Sequence, residues 1–335
     1  MKISDLERID SQKMFQIYDK WPKIAQEAYE SEFEKIEIQG IDHIVFAGMG
    51  GSGSIGDTIK AILSKTDMHV TTIKGYTLPK TVDDKTLVLA TSVSGNTEET
   101  LKIMKYAQER SAKLIGFMGG GKMESFCEQN DIMYRKIPKI HSPRASFPSF
   151  LFSILNILEP ILPIEKNDVN DAIKELENTR KNIFSENLSE DNIALDLAKF
   201  IEKIVCINFP KGLEAAAIRY KNSLQENTKI HAMTEDVIET CHNGIVSWEK
   251  SVGVSPVLIQ GHDDHTKTIA RWKILEDYFN MKNIDYKVVK TVKGNILSKI
   301  TNLVYSLDYS TIYSSVLMKI DPSPVESIDY VKSKL

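Results

Sequence analysis

Gly48, Gly50 and Gly53 stand at G-x-G-x-x-G spacing inside DHIVFAGMGGSGSIGDTIKAIL, residues 42–63. Glycine lets backbone N–H groups come close to an anion, and a helix that starts in the turn adds the positive end of its dipole. Gly50, Gly51 and the Ser52 hydroxyl are therefore candidate phosphate ligands, with Ser54 as a further donor. A dinucleotide site at this spacing also needs an acid about 20 residues on, at the end of the next strand, to hold a ribose. The next strand is MHVTTIKGY and its end carries Lys74, so the ribose acid is missing. A close-packed glycine turn that binds nothing is the plainer alternative. A second turn weighs against it. In LVLATSVSGNTEETLKIM, Ser92, Ser94 and Thr97 bring three hydroxyls into six residues around Gly95 and Asn96. Glu98 and Glu99 suit the first turn of a following helix. An N-cap at Asn96 or Thr97 accounts for one of those polar side chains. Three hydroxyls with backbone amides can wrap a phosphate monoester without a lysine. Two such turns after nearby parallel strands share one crevice at the carboxyl edge of a sheet. That geometry suits a compact phosphorylated molecule better than a dinucleotide.

The elements that would carry these turns follow a rhythm. From residue 42 to about 138, the β-rich runs HIVFAG, HVTTIKGY, TLVLATS, KLIGFMGG and DIMYRKI alternate with amphipathic stretches. Ile55, Ile59, Ile62 and Leu63 show helical spacing. Strands alternating with helices predict a parallel sheet covered on both faces. Residues 1–40 read as helical, and 141–200 as a turn-rich loop, SPRASFPSF, followed by helices. The rhythm returns from residue 201 with KIVCINF, PVLIQG and DYKVVKTV and ends in helices at residue 335. Residues 42–138 and 203–290 thus read as two copies of one architecture, the second without the glycine turn and with NFPKGLEAAAIRYKNSLQEN in its place. The expected organisation is an N-terminal helical segment over 1–40, a first phosphate-binding subdomain over 41–140, a connection over 141–200, and a second subdomain over 201–335.

Composition excludes several classes. The 335 residues suit two domains of about 150 residues. Of these residues, 42% are apolar and 26% charged, ordinary globular values. A net charge of −4 argues against nucleic acid as a partner. Cys127, Cys206 and Cys241 are widely spaced and support neither a disulfide framework nor a zinc site. MKISDLERIDSQKMF has no apolar core of a signal peptide, and SFLFSILNILEPILPI is broken by Glu159 and Pro160. No membrane partner is expected, and the expected location is the cytoplasm. His262 and His265, with Asp263 and Asp264 in GHDDHTK, have the look of a metal pair, but a polar loop after the PVLIQG strand is the reading preferred, and no metal is expected.

The two turns resemble a known family. GMGGSGSIGD and SVSGNTEET are similar to the signature turns of the sugar isomerase (SIS) domain. SPRASFPSF, NSLQENTKIHAMTEDVIETCHNGIVSWE and the terminal DPSPVESIDYVKSKL sharpen the match to the bifunctional phosphoglucose/phosphomannose isomerases of archaea and bacteria. The resemblance implies an α/β fold of two SIS subdomains, each a flavodoxin-like parallel sheet flanked by helices in three layers. It implies an aldose–ketose isomerase of hexose 6-phosphates that proceeds through a cis-enediol without a cofactor. Glu226 matches the catalytic base, His242 the histidine that opens the sugar ring, and Arg144 the arginine that stabilises the enediol oxyanion. The family's histidine reaches the active site from the partner subunit, so a homodimer is implied. Lys332 matches a C-terminal lysine near the substrate, with Lys334 as the competing position. Ser52, Ser92, Ser94 and Thr97 match the phosphate ligands. Val93 departs from the family's usual middle residue of the second turn and is expected to point away from the phosphate. Without the resemblance, Glu226, His242 and Lys332 read as solvated or turn residues, whereas Arg144 in a Ser/Pro-rich loop is plausible anion chemistry. An amino-sugar-phosphate isomerase and a non-catalytic sugar-phosphate sensor remain as alternatives.

Overall fold

In the computed structural model, which describes residues 1–250 and 253–334, five apolar runs of the N-terminal half become strands. They are β1 (His43–Ala47), β2 (His69–Ile73), β3 (Thr86–Ser92), β4 (Lys113–Met118) and β5 (Met133–Lys136). All pair parallel in the order β2-β1-β3-β4-β5. Every residue of β1 and β3 is buried, as a central strand with both faces covered requires. The edge strands β2 and β5 are half exposed. Ile55, Ile59 and Leu63 line the buried side of the Gly50–Ile62 helix and the turn that closes it. Connections from β1 lead to one side of the sheet and those from β3 to the other, so the order reverses between these two neighbours. Ligand crevices open at the carboxyl ends of strands at such a reversal. Residues 48–53 follow β1 and residues 93–97 follow β3, which puts both turns there.

The chain groups into two compact units, Lys20–Lys174 and Met1–Asp19 together with Glu175–Leu335. The second unit holds β6 (Ile204–Phe209), β7 (Ala232–Asp236), β8 (Val254–Gln260) and β9 (Lys287–Lys290) in the order β7-β6-β8-β9, again all parallel. This is the order of the first sheet without its fifth strand. Strand β7 is a correction to the sequence reading, which expects three strands here. Its residues AMTED end in two acids and lie half exposed at the sheet edge, so no apolar run marks them.

A single 22-residue helix, Ile296–Leu317, organises the second unit. Every residue from Leu297 to Val316 is buried, with the Met14–Tyr18, Ile193–Phe200 and Glu214–Ser223 helices packed around it. Buried tyrosines need partners for their hydroxyls. Tyr305 donates to the Tyr18 carbonyl at 2.8 Å and Tyr313 to the Ile183 carbonyl at 2.7 Å, while the Tyr309 and Tyr313 rings stack at 4.7 Å. One acid lies among them. Asp308 is fully buried and accepts from Arg219 Nη2 at 2.6 Å, Arg219 Nε at 3.0 Å and Ser223 Oγ at 2.7 Å. Burial pushes the Asp308 carboxyl up, and the Arg219 charge and the Ser223 hydroxyl pull it back. Among the described residues, no helix is long and apolar enough to cross a membrane.

Candidate active site

The second turn uses its hydroxyls on one another rather than as a helix cap. Thr97 occupies the N-cap position of the Glu98–Glu109 helix, yet its side chain makes no capping bond. Its Oγ1 lies 2.8 Å from Ser92 Oγ, which is 3.4 Å from Ser94 Oγ and accepts the Gly95 N–H at 3.0 Å. Asn96 turns outward and accepts the Lys122 N–H at 3.0 Å. The bland explanation of this turn, a capped helix start, therefore fails for the threonine and the asparagine alike. Val93 is buried, whereas Ser94 beside it is exposed.

The first turn is bonded to the second. Val93 N–H donates to Ser52 Oγ at 3.2 Å, fixing the first-turn hydroxyl against the second-turn backbone. The Gly50–Ile62 helix starts at Met49 without a side-chain cap, and Gly50 and Gly51 are its first, partly exposed residues. Two helix starts without side-chain caps, tied together and bearing Ser52, Ser92, Ser94 and Thr97, form a concentration of donors and positive dipole suited to a phosphate. In the second sheet, by contrast, Asp236 and His265 cap the helices after β7 and β8. Lys74, which replaces the ribose acid, lays its stem against Gly53 and pairs its ammonium with Asp57.

Arg144 reaches this turn through its backbone. A Cβ on Gly51 would stand 3.1 Å from the Pro143 carbonyl oxygen and 3.4 Å from Arg144 N, so a side chain there would press the SPRAS loop back by a few tenths of an ångström. Ser146 knots that loop by donating to the Ile140 and Ser142 carbonyls and accepting the Ile140 N–H. The Arg144 side chain is 4% exposed. Gly95 is a second position that excludes a side chain. Its φ is +67°, and a Cβ there would lie 1.5 Å from the Gly120 carbonyl oxygen. Gly95→Ala is expected to lower stability by more than about 1 kcal/mol and to raise the KM for a phosphorylated substrate. An unchanged melting temperature and KM would contradict this packing.

The other candidates lie in the second unit. Glu226 is half-buried inside a π-helical turn, Leu224–Thr228, that continues the Glu214–Ser223 helix. No pattern in the sequence marks this π turn, and such turns are frequent at functional sites. His242 is exposed just after the Val237–Thr240 helix, its N–H bonded to the Glu239 carbonyl at 2.9 Å. Beneath that helix, Asn208 donates to Thr240 Oγ1 at 2.9 Å and Thr240 donates to Glu235 Oε2 at 3.1 Å. Lys332 is exposed at the end of the Glu326–Lys332 helix, and the Lys334 ammonium sits 5.7 Å from the Tyr330 ring centre. In GHDDHTK, His265 Nδ1 accepts the Lys267 N–H, Asp264 accepts from Gly261 N–H and Trp272 Nε1, and Asp263 pairs with Lys299. Each of these side chains thus has a structural role. Burial pushes the Cys127 thiol up to about 11 and the Cys206 thiol up to about 12, so neither is a nucleophile near neutral pH. The groups that bracket Glu226, namely Ser223, Asn227, Asp308 and Thr311, escape the sequence reading. The readable signal is Asp308, a lone charge in the otherwise apolar and hydroxyl-bearing LVYSLDYSTIYSSVL.

Comparisons with known proteins cover both sheets. The SIS domain model matches residues 37–158, and the model described as the bacterial phospho-glucose isomerase C-terminal SIS domain matches residues 190–335. A bifunctional phosphoglucose/phosphomannose isomerase of Caldicellulosiruptor bescii is 31% identical, over 96% of this chain and 98% of its own. A D-glucosamine-6-phosphate 4-epimerase of Sulfolobus acidocaldarius is 28% identical, over 72% of this chain and 74% of its own. The crystal structure of a hypothetical protein from Thermus thermophilus superposes with a TM-score of 0.76 at 12% identity, covering 98% of this chain and 92% of that one.

Proposed function

We propose, from the premise that the chain belongs to the bifunctional phosphoglucose/phosphomannose isomerase family, that it interconverts glucose 6-phosphate and fructose 6-phosphate and, at the same site, mannose 6-phosphate and fructose 6-phosphate. The observation that carries the substrate class is the bonded cluster of Ser92, Thr97 and Ser52 at two helix starts that lack side-chain caps. It offers hydroxyls and dipoles to a dianion, and Lys74 stands where a dinucleotide site needs an acid for the ribose.

The chemistry follows from the substrate. The sugar ring opens as a proton leaves O1 and another reaches O5; the His242 imidazole, with one ring nitrogen to donate and one to accept, suits that exchange. In a homodimer this imidazole would be supplied by the partner subunit. Glu226 then takes the proton from C2 of the aldose and returns one to C1, while the oxygen proton moves from O2 to O1 through the cis-enediol. Arg144 stabilises the charge developing on the enediolate oxygens, and Lys332 adds a second cation at the substrate. Glucose and mannose 6-phosphate differ only in configuration at C2 and give the same enediol, so one base serves both when C2 can be reprotonated on either face. Proton transfer of this kind needs no hydride carrier. A cytoplasmic location agrees with a phosphorylated metabolite as substrate.

The second reading is an amino-sugar phosphate as substrate, favoured by the Sulfolobus acidocaldarius epimerase among the relatives. Purified protein should convert fructose 6-phosphate into both glucose 6-phosphate and mannose 6-phosphate, and leave glucosamine 6-phosphate unchanged. Conversion of glucosamine 6-phosphate alone would replace the first reading with the second. Ser92→Ala should raise the KM for fructose 6-phosphate by about tenfold or more, with kcat within about threefold, since a hydrogen bond to a charged group is worth about 1.5–3 kcal/mol. An unchanged KM would remove the cluster from phosphate binding.

A further inference from the structure

We propose that Asn227 and Thr311, with Lys229 on the outer side, are positioning residues that aim the Glu226 carboxylate by holding its π turn in register; the proposal rests on the reading of Glu226 as the base. A π turn is a less favourable helical geometry than the α turns before it, and it persists where neighbouring groups hold it. Here the bonds bracket Glu226. On the N-terminal side, Ser223 Oγ donates to Asp308 at 2.7 Å, and Arg219 holds the same carboxylate. On the C-terminal side, Asn227 Nδ2 donates to Thr311 Oγ1 at 2.7 Å. Asp308 and Thr311 stand one turn apart on the Ile296–Leu317 helix, so one rigid element grips the turn on both sides of Glu226.

The direction of the inner bond is fixed. The Thr311 hydroxyl donates to the Asp308 carbonyl at 2.6 Å, leaving its lone pairs as the acceptor for Asn227. Asn227 and Thr311 are fully buried, where an unmade bond is costly. On the outer side Lys229 adopts a left-handed conformation with φ +61° and closes the turn. Its ammonium donates to the Glu226 carbonyl at 2.5 Å and to the Pro324 carbonyl at 2.8 Å. A bond to the backbone carbonyl of the base itself and a buried side-chain bond from the next residue leave little freedom to the Glu226 main chain. A base for a carbon acid depends on such placement, because a misplacement of about 1 Å costs about 100-fold.

The test compares Thr311→Val, which keeps the shape and removes the acceptor, with Thr311→Ser, which restores the hydroxyl, and with Lys229→Met, which changes an exposed side chain. Glu226→Gln is measured alongside. Thr311→Val should lower kcat for fructose 6-phosphate by about tenfold or more, with KM within about twofold. Thr311→Ser should recover kcat to within about threefold, and Lys229→Met should show a smaller loss of the same kind. A folded Thr311→Val protein with parental kcat, beside an inactive Glu226→Gln, overturns the positioning role and leaves the base reading intact. If Thr311→Val does not fold, Lys229→Met decides: parental kcat overturns the proposal, and a kcat-selective loss supports it. A Glu226→Gln protein that still turns over removes the base, and the proposal with it.

Discussion

Glu226→Gln is expected to lower kcat by about 10³-fold or more, while the affinity for fructose 6-phosphate stays within about threefold. The substitution keeps the size of the side chain and its place in the Leu224–Thr228 turn. It removes the one group in that turn that can hold a proton taken from carbon. Glutamine cannot accept that proton at any accessible pH, so the loss should not be recovered by raising the pH. Phosphate affinity should survive because Ser52, Ser92, Ser94 and Thr97 belong to other elements, around β1 and β3. Binding is measurable directly by calorimetry, since the variant does not consume the ligand. Turnover within tenfold of the parent would exclude Glu226 as the base, and a lost affinity with parental kcat would make it a binding residue.

Asp308→Ala is expected to destabilise the protein by about 3–5 kcal/mol, the usual result of leaving one member of a buried ion pair alone. Arg219 is 2% exposed and would lose the carboxylate it pairs with in the core. Ser223 and Tyr18 would also lose their shared acceptor. The double replacement Arg219→Met with Asp308→Leu should recover most of that loss, because it removes both desolvated charges and keeps the space filled. Urea denaturation of the single and double variants measures both effects. If the single variant lost less than about 1 kcal/mol, the pair would not be the anchor of the Ile296–Leu317 helix. The same pair bears on catalysis through Ser223, so the double variant should fold well and still show reduced kcat.

The sheets are legible wherever burial is complete. HIVFA and TLVLATS are buried on both faces and read as apolar runs, so their chemistry announces a central parallel strand. AMTED has neither an apolar run nor clean alternation, because an edge strand with one covered side needs neither, and the sequence does not mark it. The second turn is legible as a crowd of hydroxyls. Its bonding is not: Thr97 stands at the cap position, as helix-start rules expect, but its hydroxyl goes to Ser92, a choice that depends on how the turn closes around Gly95. The π turn at Glu226 is illegible because a turn of π-helix and a turn of α-helix share one composition and nearly one periodicity. What selects it is Thr311, 84 residues away from Asn227. Distance also hides the role of residues 1–19. They group with the second sheet through contacts such as the Tyr305 hydroxyl on the Tyr18 carbonyl, and no local pattern names such a partner.

Isomerisation of fructose 6-phosphate in deuterium oxide, followed by nuclear magnetic resonance, tests the central claim most directly. Proton transfer through an enediol by a base that exchanges with solvent predicts glucose 6-phosphate and mannose 6-phosphate carrying deuterium at C2, and fructose 6-phosphate acquiring deuterium at C1. Neither should appear with Glu226→Gln. Aldoses formed without deuterium at C2 would contradict transfer through a solvent-exchanging base, and the absence of both aldoses would contradict the assignment of this chain's substrate.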